Sequence, residues 1–150
     1  MAAPKGNKFW QARSSHGVKP KFDKAEDLWG ACLEYFQWVE DNPLQSTELV
    51  KFQGSATHAK VPKMRAMTIE GLCIFLDITS RAWRLWRDEK EDFLPIIMRV
   101  EAIIYQQKFT GAAADLLNPN IIARDLGLTD KKEHEVTGVS INISGPLAGI

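Results

Sequence analysis

What this chain lacks narrows it first. Of its 150 residues only two are cysteine, Cys32 and Cys73. Both sit inside apolar helical patterns, so a disulfide scaffold is excluded and a reducing compartment is indicated. No apolar run approaches the roughly 20 residues that span a bilayer, and the first residues lack the apolar core of a signal peptide. The expectation is a cytoplasmic protein with no membrane role. There is no G-x-x-x-x-G-K-S/T loop, which removes P-loop nucleotide chemistry. His16, His58 and His134 are scattered, and none stands at metal-ligand spacing from a cysteine. No pair of acids falls on an apolar helix face suited to acid–base work. The chain is therefore expected not to be an enzyme, with no catalytic residue, no metal and no cofactor.

Net charge is also missing, since nineteen basic residues balance nineteen acidic ones. Its distribution is uneven. Residues 1–22 carry Lys5, Lys8, Arg13, Lys19 and Lys21 and no acid, whereas acids dominate from Asp23 to Glu48. A basic arm on a neutral body indicates an electrostatic contact at one end, and a solubilising tail fits this feature equally. The adjacent Phe9 and Trp10 favour an arm that docks.

Lys24 to Glu40 repeats Leu28, Ala31, Cys32, Tyr35, Phe36 and Val39 at three- and four-residue spacing. That is an amphipathic helix, with Asp23 as its expected cap and Asn42-Pro43 as its stop. Leu49 to Val61 changes to an alternating period around Gln53-Gly54 and predicts a small hairpin, closed off by Pro62. Phe93 to Tyr105 is apolar over most of its circumference and predicts a helix buried inside the chain or against another subunit. "KFTGAAADLL" reads as a following helix of small residues. In "NPNIIARDLGL", Asn118, Pro119 and Gly127 mark a cap, a first turn and a stop. Val139, Ile141 and Ile143 then alternate with polar residues in a strand that has no sequence-adjacent partner. Such a strand must bury its face and pair its backbone, and neighbouring subunits can supply both.

"TIEGLCIFLDITSRAWRLWRDE", residues 68–89, reads as a helix-turn-helix. Leu72, Cys73 and Leu76 face inward, Asp77 takes the corner, Ile78 plugs it, and Thr79 caps the second helix. With Trp83 and Trp86 inward, Ser80, Arg81, Arg84 and Arg87 face out. Arg81 is placed for a base edge, and Arg84 and Arg87 for phosphates. Ion pairs Arg84–Asp88 and Arg87–Glu91 at i,i+4 spacing are the competing reading.

"MAAPKGNKFWQARSSHG", "DLWGACLEYFQWVEDNPL", "KMRAMTIEGLCIFLDIT" and "YQQKFTGAAADLLNPNIIARDLGL" together resemble the small terminase subunit of tailed double-stranded DNA bacteriophages. The resemblance runs in order over about residues 1–128. It implies a homo-oligomeric ring, nine-fold by resemblance alone, whose C-terminal strands close a β-barrel. It further implies recognition of the packaging start on phage DNA and recruitment and regulation of a large subunit that carries ATPase and nuclease. The protein would act in the host cytoplasm and be absent from the mature virion. Some similar subunits bind DNA through a basic C-terminal tail, yet this chain carries no Lys or Arg after Lys132.

The expected architecture is thus mainly α with minor β. It has a basic arm (1–22), a helical DNA-binding domain (23–90) with the helix-turn-helix at 68–89, a helical oligomerisation core (91–128), and a C-terminal strand and tail (129–150). Ile97, Val100, Ile103 and Ile104, with Val139, Ile141 and Ile143, are the expected oligomerisation residues. The alternative function is a dimeric helix-turn-helix transcriptional regulator, for which a lone apolar strand has no use.

Overall fold

In the computed structural model, which describes residues 22–129, seven elements follow in chain order. They are α1 (Ala25–Asp41), β1 (Leu44–Phe52), β2 (Ser55–Lys63), α2 (Ile69–Leu76), α3 (Ser80–Glu89), α4 (Leu94–Ala113) and α5 (Pro119–Asp125). The expected α1 stripe is the buried one, with Leu28, Cys32, Tyr35, Phe36 and Val39 turned inward. Its cap differs from expectation. Lys24 stands at the N-cap without a side-chain bond, and Asp23 lies one residue too early. Glu26 and Asp27 in the first turn still complement the helix dipole. At the other end the Asn42 amide donates to the Trp38 carbonyl at 2.9 Å, just before Pro43.

β1 and β2 form an antiparallel hairpin in which Leu44 faces Lys63 and Phe52 faces Ser55. Gln53 and Gly54 both have positive φ, 48° and 81°, the backbone of a two-residue turn that matches strand twist. The arms are longer than the alternation predicts. Pro62 does not close the hairpin but lies within β2, opposite Gln45. A two-stranded sheet is all edge, where proline is tolerated.

α4 corrects a second expectation. The apolar run and "KFTGAA" are one helix, because nothing between Tyr105 and Gly111 breaks it. It ends where Asp115 takes φ 56°, and the chain folds back so that Leu117 packs on Gly111. A Cβ at Gly111 would stand 2.8 Å from Leu117 Cδ1, which accounts for a glycine there. Asn118 caps α5 by accepting from the amides of Asn120 and Ile121. Gly127, at φ 68°, lets Leu128 N–H reach back to the Ala123 carbonyl at 2.9 Å, a Schellman stop. The buried Lys108 on α4 pairs with Asp125 and holds α5 in place.

One hydrophobic cluster runs through α1, α2, α3 and α4 without interruption at residue 90. Its fully enclosed members include Leu28, Leu72, Trp83, Phe93, Ile97 and Val100. This places three of the expected oligomerisation residues elsewhere. Ile97, Val100 and Ile104 are 0%, 0% and 2% exposed in the protomer itself, and Ile103 is half-buried. The apolar run counts residues but does not show that α1–α3 would cover this side of α4. Val139, Ile141 and Ile143 lie outside the described residues. Among the described residues no helix is long and apolar enough to cross a membrane.

Candidate nucleic-acid interface

α2 begins at Thr68, whose hydroxyl accepts from the Gly71 amide at 2.9 Å. It buries Leu72, Cys73, Phe75 and Leu76. It stops because Asp77 adopts the left-handed conformation, φ 58° and ψ 45°, which lets Ile78 N–H donate to the Cys73 carbonyl at 3.0 Å. A β-carbon makes this conformation unfavourable, and Asp reduces the penalty only in part. Asp77→Gly should therefore stabilise the fold by about 1 kcal/mol, read as a higher denaturant midpoint with unchanged slope.

Thr79 opens α3 by accepting from the Ala82 amide at 3.1 Å. Trp83 and Trp86, 1% and 3% exposed, fix which side of α3 is inner. Phe22 and Phe93 both meet Trp86 edge-on, with ring centroids 6.2 and 5.7 Å away. Phe22 therefore brings the start of the described chain beside α3. Lys90 caps this aromatic group, its ammonium 4.5 Å from the Phe93 ring centroid.

The outer side of α3 carries Arg81, Arg84 and Arg87, all exposed, with Ser80 half-buried at the first turn. The i,i+4 ion pairs are not formed. Arg84 instead turns back along the helix, its Nε and Nη2 donating to the Ser80 carbonyl and Oγ at 3.3 and 3.4 Å. Arg87 crosses to α4 and pairs with Glu101 at 3.0 Å. The same carboxylate accepts from the Trp83 indole N–H at 3.2 Å. Glu101 thus positions both an inner and an outer residue of α3. It was legible as the only acid in the apolar run 93–105, though its partners were not.

Arg81 has no partner among the described residues and is the guanidinium most available to a ligand. Arg84 is pre-oriented by Ser80, and Arg87 is partly neutralised. Leu85, 47% exposed, sits among them as the one large apolar side chain on this outer face. Asp88 and Glu89 lie at the far end, so positive charge concentrates toward the N-terminal half of α3. Such a face suits an anion with apolar parts, and nothing in it resembles a nucleophile with its base. Lys5, Lys8, Arg13, Lys19 and Lys21 lie outside the described residues.

Comparison with known proteins gives this surface a context. Residues 17–134 match the family described as DNA-packaging protein gp3. Over 135 residues the chain is 56% identical to the terminase small subunit of Salmonella phage P22, covering 90% of this chain and 83% of that one. A helical protein with a small hairpin, matched over most of its length, has a role in phage DNA packaging. The chain belongs to the DNA-packaging protein gp3 family and is a small terminase subunit.

Proposed function

We propose that this protein is the DNA-recognition subunit of a phage genome-packaging terminase. It binds the packaging start on double-stranded phage DNA as a homo-oligomeric ring, and recruits and regulates the large subunit that carries ATPase and nuclease. The observation that carries this reading is the outer face of α3, where two buried tryptophans hold Arg81 and Arg84 outward on a capped helix. α2, the Asp77 corner and α3 then act as a helix-turn-helix, with Arg81 toward a base edge and Arg84 toward phosphate. Lys5, Lys8, Arg13, Lys19 and Lys21 add a sequence-independent electrostatic contact. Several modest contacts repeated around a ring combine by raising effective concentration. The protein itself performs no catalysis and works in the host cytoplasm before the virion is complete.

Assembly is assigned to α4, but to a different side from the one the sequence indicated. Met98, Ala102, Tyr105 and Phe109 are all exposed and recur at 98, 102, 105 and 109, the spacing of a coiled-coil seam. The Tyr105 and Phe109 rings lie nearly parallel, 8° apart, and form a flat apolar surface for a neighbouring subunit. A barrel closed between subunits through Val139, Ile141 and Ile143, which lie outside the described residues, and nine-fold symmetry belong to this reading by resemblance alone.

Arg81→Ala should weaken the cognate site relative to random DNA by about 1–3 kcal/mol and leave the salt dependence nearly unchanged. Footprinting on phage DNA with competitor reads this directly. An unchanged cognate footprint would remove Arg81 from base recognition and with it the orientation assigned to α3.

A further inference from the structure

We infer that the β1–β2 hairpin of one subunit docks, through its basic face, on the acidic outer face of α1 in the next copy around the ring. The inference rests on the ring reading above and identifies a contact that builds it. Every residue from 47 to 58 is exposed. A hairpin with solvent on both faces is only marginally stable on its own and gains order from a partner surface.

The register divides the ribbon into two unlike faces. Side chains alternate, so Lys51 shares a face with His58 and Lys60, which stand opposite Leu49 and Thr47. No acid lies on that face. The hairpin's one acid, Glu48, is on the opposite face and is paired with Lys63 at 2.7 Å. At the centre of the basic face sits Leu49, 55% exposed.

The complement is on the same chain. Opposite its buried stripe, α1 exposes Glu26, Asp27, Glu34, Glu40 and Asp41 and no base. Leu33 lies within this acidic surface, 44% exposed, and Gly30 leaves open space beside it. The seventeen-residue helix is about 25 Å long and the nine-residue strands about 30 Å, so the two surfaces match in reach. Two different patches that complement each other form a head-to-tail contact, the kind that closes rings and not two-fold dimers. Double-stranded DNA is the other polyanion the basic face could meet. The copy is favoured because α1 supplies an apolar residue for Leu49 as well as the charge.

The test is a charge swap in the full chain, followed by light scattering at low and moderate salt. Lys51→Glu with Lys60→Glu should raise the protein concentration for half-assembly at least about tenfold. Adding Glu34→Lys and Glu40→Lys to that variant should restore assembly to near the original level. All four positions are exposed, and circular dichroism confirms that each variant folds. If Lys51→Glu with Lys60→Glu assembles like the unaltered protein, the contact is wrong while the ring stands. If that variant also loses DNA affinity, the hairpin is a DNA arm. If assembly is lost but the reciprocal change does not restore it, the pairing with α1 is overturned. An unaltered protein that does not assemble at all would instead defeat the ring reading beneath.

Discussion

Trp83→Ala is expected to cost about 3–5 kcal/mol of folding stability, a large share of what a domain of this size possesses. Trp83 is 1% exposed and is one of the largest side chains enclosed by the core. Its loss leaves a cavity that the surrounding helices can only partly close. It also removes the indole N–H from Glu101, leaving that carboxylate to Arg87 alone. Two penalties therefore coincide at one position. Trp83→Phe separates them, since it keeps most of the apolar volume but not the donor, and it should lose markedly less. Chemical denaturation of both variants measures the difference. A Trp83→Ala loss below about 1 kcal/mol would mean that α3 is not anchored as described.

The tryptophans also show how much of the molecule the sequence made legible. Spacing alone placed Trp83 and Trp86 inward, Thr79 at the cap, Asp77 at the corner and Asn118 with Gly127 around α5. These signals are local, and backbone geometry within a few residues decides them. Gln53-Gly54 located the hairpin turn for the same reason, although the arm lengths escaped because few β-branched residues mark them. The failures are long-range. Ile97, Val100 and Ile104 announce burial, but their covering partners come from α1–α3 in the same protomer. Arg87 has Glu91 at the right spacing and yet meets Glu101 fourteen residues away. Of the candidate site, the residue types and the outward face were readable. Which arginine stays unpaired was not, because that depends on a neighbouring helix.

The second large effect is alkaline. Burial is the first cause that raises the Cys32 thiol to about 12, with the nearby Cys73 adding to it. Burial likewise raises Cys73 to about 11, with Glu70 adding and Arg84 opposing. In the unfolded chain both thiols ionise near 9.0. Below that pH both states hold the protons, so the thiols leave stability unaffected and their full contribution is present. Above it the unfolded chain releases protons that the folded chain retains, and stability falls as pH rises toward 11–12. Each thiol contributes at most about 1.4 kcal/mol per pH unit. The combined loss by pH 11 is about 3–5 kcal/mol. Tyr35, also raised by burial, adds to this at the upper end. Denaturation at pH 7.5 and 10.5 should show a steep decline that Cys32→Ala with Cys73→Ala flattens. Equal declines in both proteins would show that the thiols ionise freely in the fold.

The uninterrupted core across α1 to α4 has a mechanical consequence. α3 is bolted to α4 by Trp83, Trp86, Phe93 and the Glu101 bridge, with no hinge of small or flexible residues between the two packed surfaces. A torque applied to α3 is therefore delivered to α4 as rotation of a solid body. The protomer is stiff where these two helices meet, and Arg87 lies beside Met98, Ala102 and Tyr105 on the exposed side of α4. A displacement of the outer face of α3 therefore carries that exposed side of α4 with it, and the two cannot shift independently.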